Sequence, residues 1–201
     1  MQVHSLFPTP VLTGTWDQAP KYNPVLESLV CAEMARTPGT KTSNVGAWRS
    51  HEDLMDWQGE AVAAFSGWLD ECTKTYLSQV TSGATARLDS RVSYVAWANV
   101  NASGDYRKPH LHAGRQFAGV YYVKIPGKEA IVPDEGCLDF IDPRGGAAMM
   151  PVPGDPFFPP RYQVRPTEGL LVLFPAWLLH MVNPHFATGD RISIGIDINV
   201  E

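Results

Sequence analysis

Three histidines in the second half of the chain have the types and spacing of a metal site. His110 and His112 are two residues apart, so in an extended segment both imidazoles leave the backbone on the same face and can chelate one divalent ion. The pair alone is a weak signal, because histidines that follow a proline often belong to exposed loops. His180 follows a strongly apolar segment, where it is either a core residue bonded to backbone or a ligand facing a cavity. If His180 faces a cavity, the three histidines His110, His112 and His180 could share one metal ion.

A candidate anion-binding arginine opens the last strand of the sequence. Residues 191–200 alternate strictly, with four isoleucines on one face and Arg191 and Ser193 on the other. If the isoleucines pack on helices, Arg191 points into the interior of the domain. A buried guanidinium is costly without an anion, and a bidentate carboxylate suits it best. Arg191 is therefore either a solvated strand end or, with Ser193 beside it, a buried group that needs a carboxylate ligand.

Helices are predicted in the first part of the chain and strands in the rest. Asn23-Pro24 has the pattern of a helix start, with a helix to residue 36, and an apolar stripe predicts a second helix over 54–80. Residues 3–12 contain two prolines and fit only an edge strand or an extended arm. Strands are predicted at 91–100, 117–125, 136–141, 162–165, 169–174 and 191–200.

This order predicts an α+β, mainly β, fold: a double-stranded β-helix (jelly roll) with the N-terminal helices packed on one sheet. At 201 residues, with no internal repeat, the chain is expected to form a single domain. Within it, residues 1–86 form an extended arm and supporting helices, and residues 87–201 form the jelly-roll core. The proline-rich loop 142–161 is either a lid over the substrate or a plain surface loop.

Composition limits the possible partners. The net charge of −5 argues against a sequence-independent nucleic-acid binder, and leaves small-molecule or peptide substrates open. Three scattered cysteines do not form a disulfide framework. With no basic leader and no long apolar run visible, the expected location is cytoplasmic, without a membrane span. The oligomeric state is not legible in the sequence.

Residues 97–199 resemble the 2-oxoglutarate/Fe(II) oxygenase family of bacteria and phages, within the prolyl-hydroxylase-like double-stranded β-helix superfamily. About half of the chain is covered, with the motifs in the expected order. The motifs that carry the resemblance are Trp97-Ala98-Asn99-Val100-Asn101, Gly104-Asp105-Tyr106, His110-Leu111-His112, Gly119-Val120-Tyr121-Tyr122-Val123, Asp142-Pro143-Arg144, Glu168-Gly169, Phe174-Pro175, His180 and Asp190-Arg191-Ile192-Ser193.

The resemblance implies a non-haem Fe(II)/2-oxoglutarate-dependent dioxygenase of the hydroxylase type. By position, His110 and His180 match the family's iron ligands, and Arg191 and Ser193 match the residues that bind the distal carboxylate of 2-oxoglutarate. Asn99 lies where related enzymes have a side chain that touches the co-substrate.

The same resemblance leaves two assignments open. Tyr121, or its neighbour Tyr122, could donate a hydroxyl to the co-substrate; Tyr121 is the one assigned. His112 stands where the superfamily usually has a carboxylate, so either three histidines hold the metal, or His112 does not bind it and two histidines and a water remain. In the second case Asp139 or Asp142 could supply the carboxylate.

Two other functions fit a metal-binding jelly roll. One is a cupin-like isomerase or sensor without oxygenase activity, and the other is a structural module without catalysis. An inward arginine facing the metal serves neither of them, so Arg191 favours the oxygenase.

Overall fold

Two antiparallel sheets lie against each other, with two helices covering the outer face of the larger one. The computed structural model describes residues 1–2, 7–80, 92–127, 133–144 and 161–200. The strands in this part of the chain are β1 (Leu12–Thr15), β2 (Asn44–Val45), β3 (Trp48–Arg49), β4 (Val92–Asn101), β5 (Tyr106–His110), β6 (Phe117–Lys124), β7 (Leu138–Ile141), β8 (Arg161–Val164), β9 (Leu170–Pro175), β10 (His180–Val182) and β11 (Arg191–Val200). The helices are α1 (Ala19–Arg36), α2 (Glu60–Val80) and a short 3-10 turn at Leu54–Asp56.

The strand order makes the structure a double-stranded β-helix. The major sheet has the order β1-β9-β6-β11-β4-β3 and the minor sheet the order β2-β5-β10-β7-β8. Strand β11 lies between β4 and β6 and pairs with β4 from Arg191 opposite Asn101 to Val200 opposite Val92. The predicted α+β jelly roll with helices packed on one sheet is confirmed.

The alternation of β11 separates two hydrophobic cores. Its four isoleucines are almost fully buried against the helices, in a cluster that includes Phe65 of α2 and Leu26 of α1. A second cluster fills the space between the sheets, with Phe174 of β9 and Phe140 of β7 among its members. The other face of β11, which begins with Arg191, therefore faces the space between the sheets, as the alternation predicts.

Helix α1 begins five residues earlier than predicted, at Ala19 instead of Pro24. Asn23 does not cap the helix but fastens it to the major sheet: its amide donates to the carbonyl of Val123 at 2.8 Å, and its side-chain oxygen accepts from the hydroxyl of Tyr121 at 2.6 Å. Pro20 is in the first turn, where a missing N–H costs nothing, and Pro24 lies inside the helix. A buried asparagine beside a proline was thus mistaken for a helix start.

The helix predicted over 54–80 is divided. A 3-10 turn at Leu54–Asp56 is followed by extended backbone at Trp57, and α2 starts only at Glu60. Gly59 has a φ of +133°, which is incompatible with a continuous helix. The apolar stripe continues across the break because both pieces pack on the same core.

Most predicted strands are present within two residues of their expected ends, and residues 191–200 match β11. The predicted arm 3–12 is displaced, since β1 covers Leu12–Thr15 and pairs with β9 at the edge of the major sheet. Strands β2, β3, β5 and β10 were not predicted; each has five residues or fewer. The boundary at residue 86 and most of the loop 142–161 lie outside the described residues. No helix in the described part of the chain is long and apolar enough to span a membrane.

Candidate metal centre

The three predicted histidines meet at one end of the space between the sheets. His110 ends β5 and His180 begins β10, and these two residues are direct partners in the minor sheet. His112 follows two residues after β5, where its backbone N–H donates to the carbonyl of Ala176 at 2.9 Å. The ligand atoms of the three imidazoles all lie within 4.8 Å of one another. This spacing is suited to one shared metal ion.

Hydrogen bonds fix which nitrogen of each imidazole is free. Nδ1 of His110 lies 2.7 Å from the carbonyl of Lys108, and Nδ1 of His180 lies 2.8 Å from that of Leu178. Because a carbonyl can only accept, Nδ1 carries the proton in both rings and Nε2 keeps its lone pair. A proton held at one nitrogen in this way is the usual arrangement of metal-binding histidines.

Burial keeps two of these histidines unprotonated. It lowers the pKa of His180 to about 3 and that of His110 to about 4, since a charged imidazole would lose its hydration. The charges of His112 and Arg107 also lower both pKa values. At neutral pH both rings are therefore ready to bind a metal without first losing a proton.

A carboxylate from the major sheet supports the third imidazole. Asp197, on β11, lies with Oδ1 2.5 Å from Nδ1 of His112, and its Oδ2 accepts from Nε of Arg115 at 3.2 Å. The side chains of His112 and Asp197 are each 11% exposed. A negative charge therefore lies one hydrogen bond away from the imidazole of His112. Asp197 was not among the predicted site residues.

The alternative carboxylate ligands are not in the cluster. Asp139 accepts hydrogen bonds from Arg161, Gln163 and Asn183 at 2.8 to 3.0 Å. Asp142 is held by Arg144. Neither belongs to the group of side chains that could share one metal ion, which consists of His110, His112 and His180.

His185 is also outside the group. Its Nε2 donates to the carbonyl of Asn101 at 2.9 Å.

A cleft of about 480 Å³, part of it open to solvent, extends from the histidines between the sheets. Arg191 lines it and is 3% exposed. Its Nη1 donates to the carbonyl of Gly136 at 3.1 Å, whereas its Nε has no partner among the described residues. Burial lowers the pKa of Arg191.

The hydroxyl of Tyr122 is also buried and without a partner in the described ranges, and burial raises its pKa to about 12. Two unsatisfied donors in one cleft are suited to a carboxylate.

The other predicted co-substrate residues divide between the two faces of the major sheet. Asn99 and Ser193 are opposite each other on β4 and β11, and both line the cleft. Tyr121 does not. Its hydroxyl is bonded to Asn23, and its ring packs against Phe65 with centroids 4.9 Å apart, in the core under the helices. The assignment to Tyr121 is wrong because strand parity on β6 directs Tyr122, not Tyr121, into the cleft.

A second arginine of the cleft, Arg107, was missed by the sequence reasoning. The β5–β10 pairing is irregular, because His180 lies opposite His110 but Val182 lies opposite Arg107. Between these two pairs β5 advances by three residues and β10 by only two. This bulge turns both Arg107 and His110 into the cleft although their separation in sequence predicts opposite faces. Pro109, inside β5, is the one sequence signal for such an irregularity.

Comparison with known proteins agrees with the geometry. The family model "Putative 2OG-Fe(II) oxygenase" matches residues 95–197, just over half of the chain. No curated protein matches the sequence.

Solved structures with the same fold include a prolyl-4-hydroxylase from Pseudomonas putida (TM-score 0.65, 16% identity, 95% of this chain and 92% of that one). The viral collagen prolyl hydroxylase of Paramecium bursaria Chlorella virus-1, in complex with 2-oxoglutarate, has a TM-score of 0.60 at 12% identity, over 94% of both chains. HygX from Streptomyces hygroscopicus, with nickel, 2-oxoglutarate and hygromycin B bound, has a TM-score of 0.58 at 13% identity, over 95% and 83%. The chain therefore belongs to the 2OG-Fe(II) oxygenase family, and is an oxidoreductase that uses Fe(II) and 2-oxoglutarate.

Proposed function

We propose that this chain is a hydroxylase-type dioxygenase whose iron is held by Nε2 of His110, His112 and His180. The observation that carries the proposal is that one ligand atom of each imidazole lies within 4.8 Å of those of the other two. In addition, Nδ1 of each ring is engaged in a hydrogen bond. Imidazole is a good ligand for Fe(II), and three protein ligands on one side leave positions open on the other. The cleft also contains buried donors suited to an anion, for which a metal-binding isomerase or sensor that does not use 2-oxoglutarate has no need.

These donors would hold the co-substrate. The Nε of Arg191 and the hydroxyl of Tyr122 are buried donors that lack partners among the described residues, and Ser193 also lines the cleft. A carboxylate accepts hydrogen bonds from such groups and neutralises the buried guanidinium. We therefore assign the distal carboxylate of 2-oxoglutarate to Arg191, with Tyr122 in place of Tyr121.

With iron and 2-oxoglutarate bound, the site would insert one oxygen atom of O₂ into a substrate C–H bond while 2-oxoglutarate is converted to succinate and carbon dioxide. The chain itself contributes orientation and exclusion of water. Phe174 packs edge-on against His180 with centroids 4.8 Å apart, and Trp97 stacks on His112 at 5.9 Å. These contacts hold the imidazoles in place and form apolar walls around the reacting groups.

Asp197 would supply, next to three neutral histidine ligands, the one negative charge that a carboxylate ligand would otherwise supply. Because its carboxylate is bonded to Nδ1 of His112, the imidazole becomes a better donor at Nε2. We assign Asp197 as a positioning residue of His112, not as a ligand.

The substrate is proposed to be a small molecule or a peptide. A cytoplasmic location is supported by three free cysteines, which are typical of a reducing compartment. A single domain, with residues 1–86 supporting a core of 87–201, is supported by the hydrophobic cluster that α1 and α2 share with the major sheet.

The test is succinate release from 2-oxoglutarate by the full chain with Fe(II), together with binding of both ligands. His180→Ala is expected to abolish metal binding and succinate release. Arg191→Gln is expected to keep the metal but to weaken 2-oxoglutarate about tenfold or more, since hydrogen bonds to a charged group contribute about 1.5–3 kcal/mol. Arg36→Gln, which removes an exposed arginine of α1, is the control and should change neither. Unchanged 2-oxoglutarate affinity in Arg191→Gln would contradict the assignment.

A further inference from the structure

The cleft contains a second buried guanidinium besides that of Arg191. Arg107 lines the same cleft as the three histidines and is 8% exposed. Its Nη2 donates to Oδ1 of Asn99, and its Nη1 lies 3.4 Å from the hydroxyl of Ser43. Both acceptors are neutral. Among the residues that the structure describes, no carboxylate lies within ion-pair distance of Arg107.

The charged groups around Arg107 make its position more costly. Burial lowers its pKa to about 10, and the positive charges of Arg49 and Arg191 act in the same direction. Arg49 is itself compensated, because it pairs with Glu52 at 2.8 Å and lies over the ring of Trp97 at 4.3 Å. A buried cation with only neutral partners destabilises a fold. Its presence in a cleft is therefore explained best by a ligand.

The proposed co-substrate does not supply the missing anion. Fe(II) and Arg191 together carry three positive charges, and the two carboxylates of 2-oxoglutarate with that of Asp197 carry three negative ones. Asp105 adds a further negative charge that acts on Arg191, but it is not among the charges that act on Arg107. Arg107 therefore remains without a compensating anion. Arg115, the other cation near Asp197, is 31% exposed and so screened by solvent.

The position of Arg107 places it beside the reacting centre. It precedes His110 by three residues on β5, and an extended strand rises about 3.3 Å per residue, so the two α-carbons are about 10 Å apart. The bulge opposite β10 turns both side chains into the cleft. A group bound by Arg107 would thus belong to a molecule that also reaches the metal.

We propose, on the basis of the proposed function, that Arg107 binds an anionic group of the substrate, so that the enzyme oxidises compounds bearing a carboxylate, sulfate or phosphate. Arg191 selects the co-substrate and Arg107 the substrate. Asn99, which accepts from Arg107, fixes the orientation of the guanidinium.

The experiment measures anion binding to the full chain loaded with Zn(II), a redox-inactive substitute for iron, and saturated with 2-oxoglutarate. Acetate and sulfate are the probes, because acetate represents a carboxylate and sulfate represents a sulfate or phosphate. Titration calorimetry at constant ionic strength should find one saturable site for at least one probe. Arg107→Gln should weaken it about tenfold or more, the range of a charge-assisted hydrogen bond. Arg36→Gln should leave it within about threefold, as for a distant surface charge.

Stability separates a binding role from a structural one. If Arg107 is uncompensated, Arg107→Gln without added ligands should melt at the same temperature as wild type or higher, whereas a structural arginine would lower the melting temperature. In wild type alone, the better probe should raise the melting temperature of the 2-oxoglutarate-saturated protein.

Three results would overturn the inference: no saturable anion site in wild type, equal probe affinity in Arg107→Gln, or a loss of 2-oxoglutarate affinity in Arg107→Gln as large as in Arg191→Gln. The last would assign Arg107 to the co-substrate. Unchanged 2-oxoglutarate binding in Arg191→Gln would instead count against the proposed function.

Discussion

Replacement of Asp197 tests how a three-histidine centre replaces a carboxylate ligand. Its carboxylate accepts from Nδ1 of His112 at 2.5 Å, in a pair whose side chains are each 11% exposed. Loss of a carboxylate that orients a metal-binding histidine costs about 10–100-fold in metal affinity, or about 1.4–2.7 kcal/mol. Asp197→Ala loses both the charge and the acceptor, so about 100-fold is expected. Asp197→Asn keeps an acceptor, so about tenfold is expected.

The assay is competition for Zn(II) between the metal-free full chain and a chromophoric chelator. Arg115→Gln removes the other partner of the same carboxylate and should change the affinity by less than about threefold, because that arginine is partly exposed. In a His112→Ala background, Asp197→Ala should have little further effect, since its route to the metal is already removed. Equal losses in both backgrounds, or a Zn(II) affinity of Asp197→Ala within threefold of wild type, would refute the reasoning.

Three further predictions follow from the same contacts. Tyr122→Phe should weaken 2-oxoglutarate binding several-fold in calorimetry. Tyr121→Phe should leave that binding unchanged and lower the unfolding free energy by about 1 kcal/mol, the usual value of a hydrogen bond. The reverse pattern would restore the assignment to Tyr121. A Cβ at Gly195 would lie 2.5 Å from the indole of Trp97, so Gly195→Ala should displace that ring and lower both metal affinity and melting temperature; unchanged values would mean that the ring has room. Burial lowers the pKa of His180 to about 3, against about 6.5 in the unfolded chain. The unfolding free energy of the metal-free protein should therefore decrease as pH falls from 6.5 towards 3, by up to about 1.4 kcal/mol per pH unit. An unfolding free energy from urea denaturation that does not change over this pH range would contradict this.

The parts of the fold that follow a simple period were predicted from the sequence. β11 has isoleucine at every second position, and its cleft face was predicted correctly from Arg191 to Ser193. On β6 the same reasoning failed, because this strand is buried on both faces and alternation carries no signal. The choice between Tyr121 and Tyr122 therefore needed coordinates.

The remaining site residues depend on contacts that no local pattern encodes. Asp197 lies an even number of residues from Arg191 on β11, but its approach to His112, 85 residues away in sequence, is set by the packing of two sheets. Arg107 enters the cleft through a bulge that reverses strand parity. Helix α2 starts late because of the backbone at Gly59. Each is a tertiary effect on a locally plausible prediction.

The most direct test of the central claim is anomalous diffraction at the iron edge from crystals grown anaerobically with Fe(II) and 2-oxoglutarate. A single peak is expected within bonding distance of Nε2 of His110, His112 and His180, with a 2-oxoglutarate carboxylate at Arg191. A peak that lacks His112 as a ligand, or that lies away from the three rings, would contradict the account.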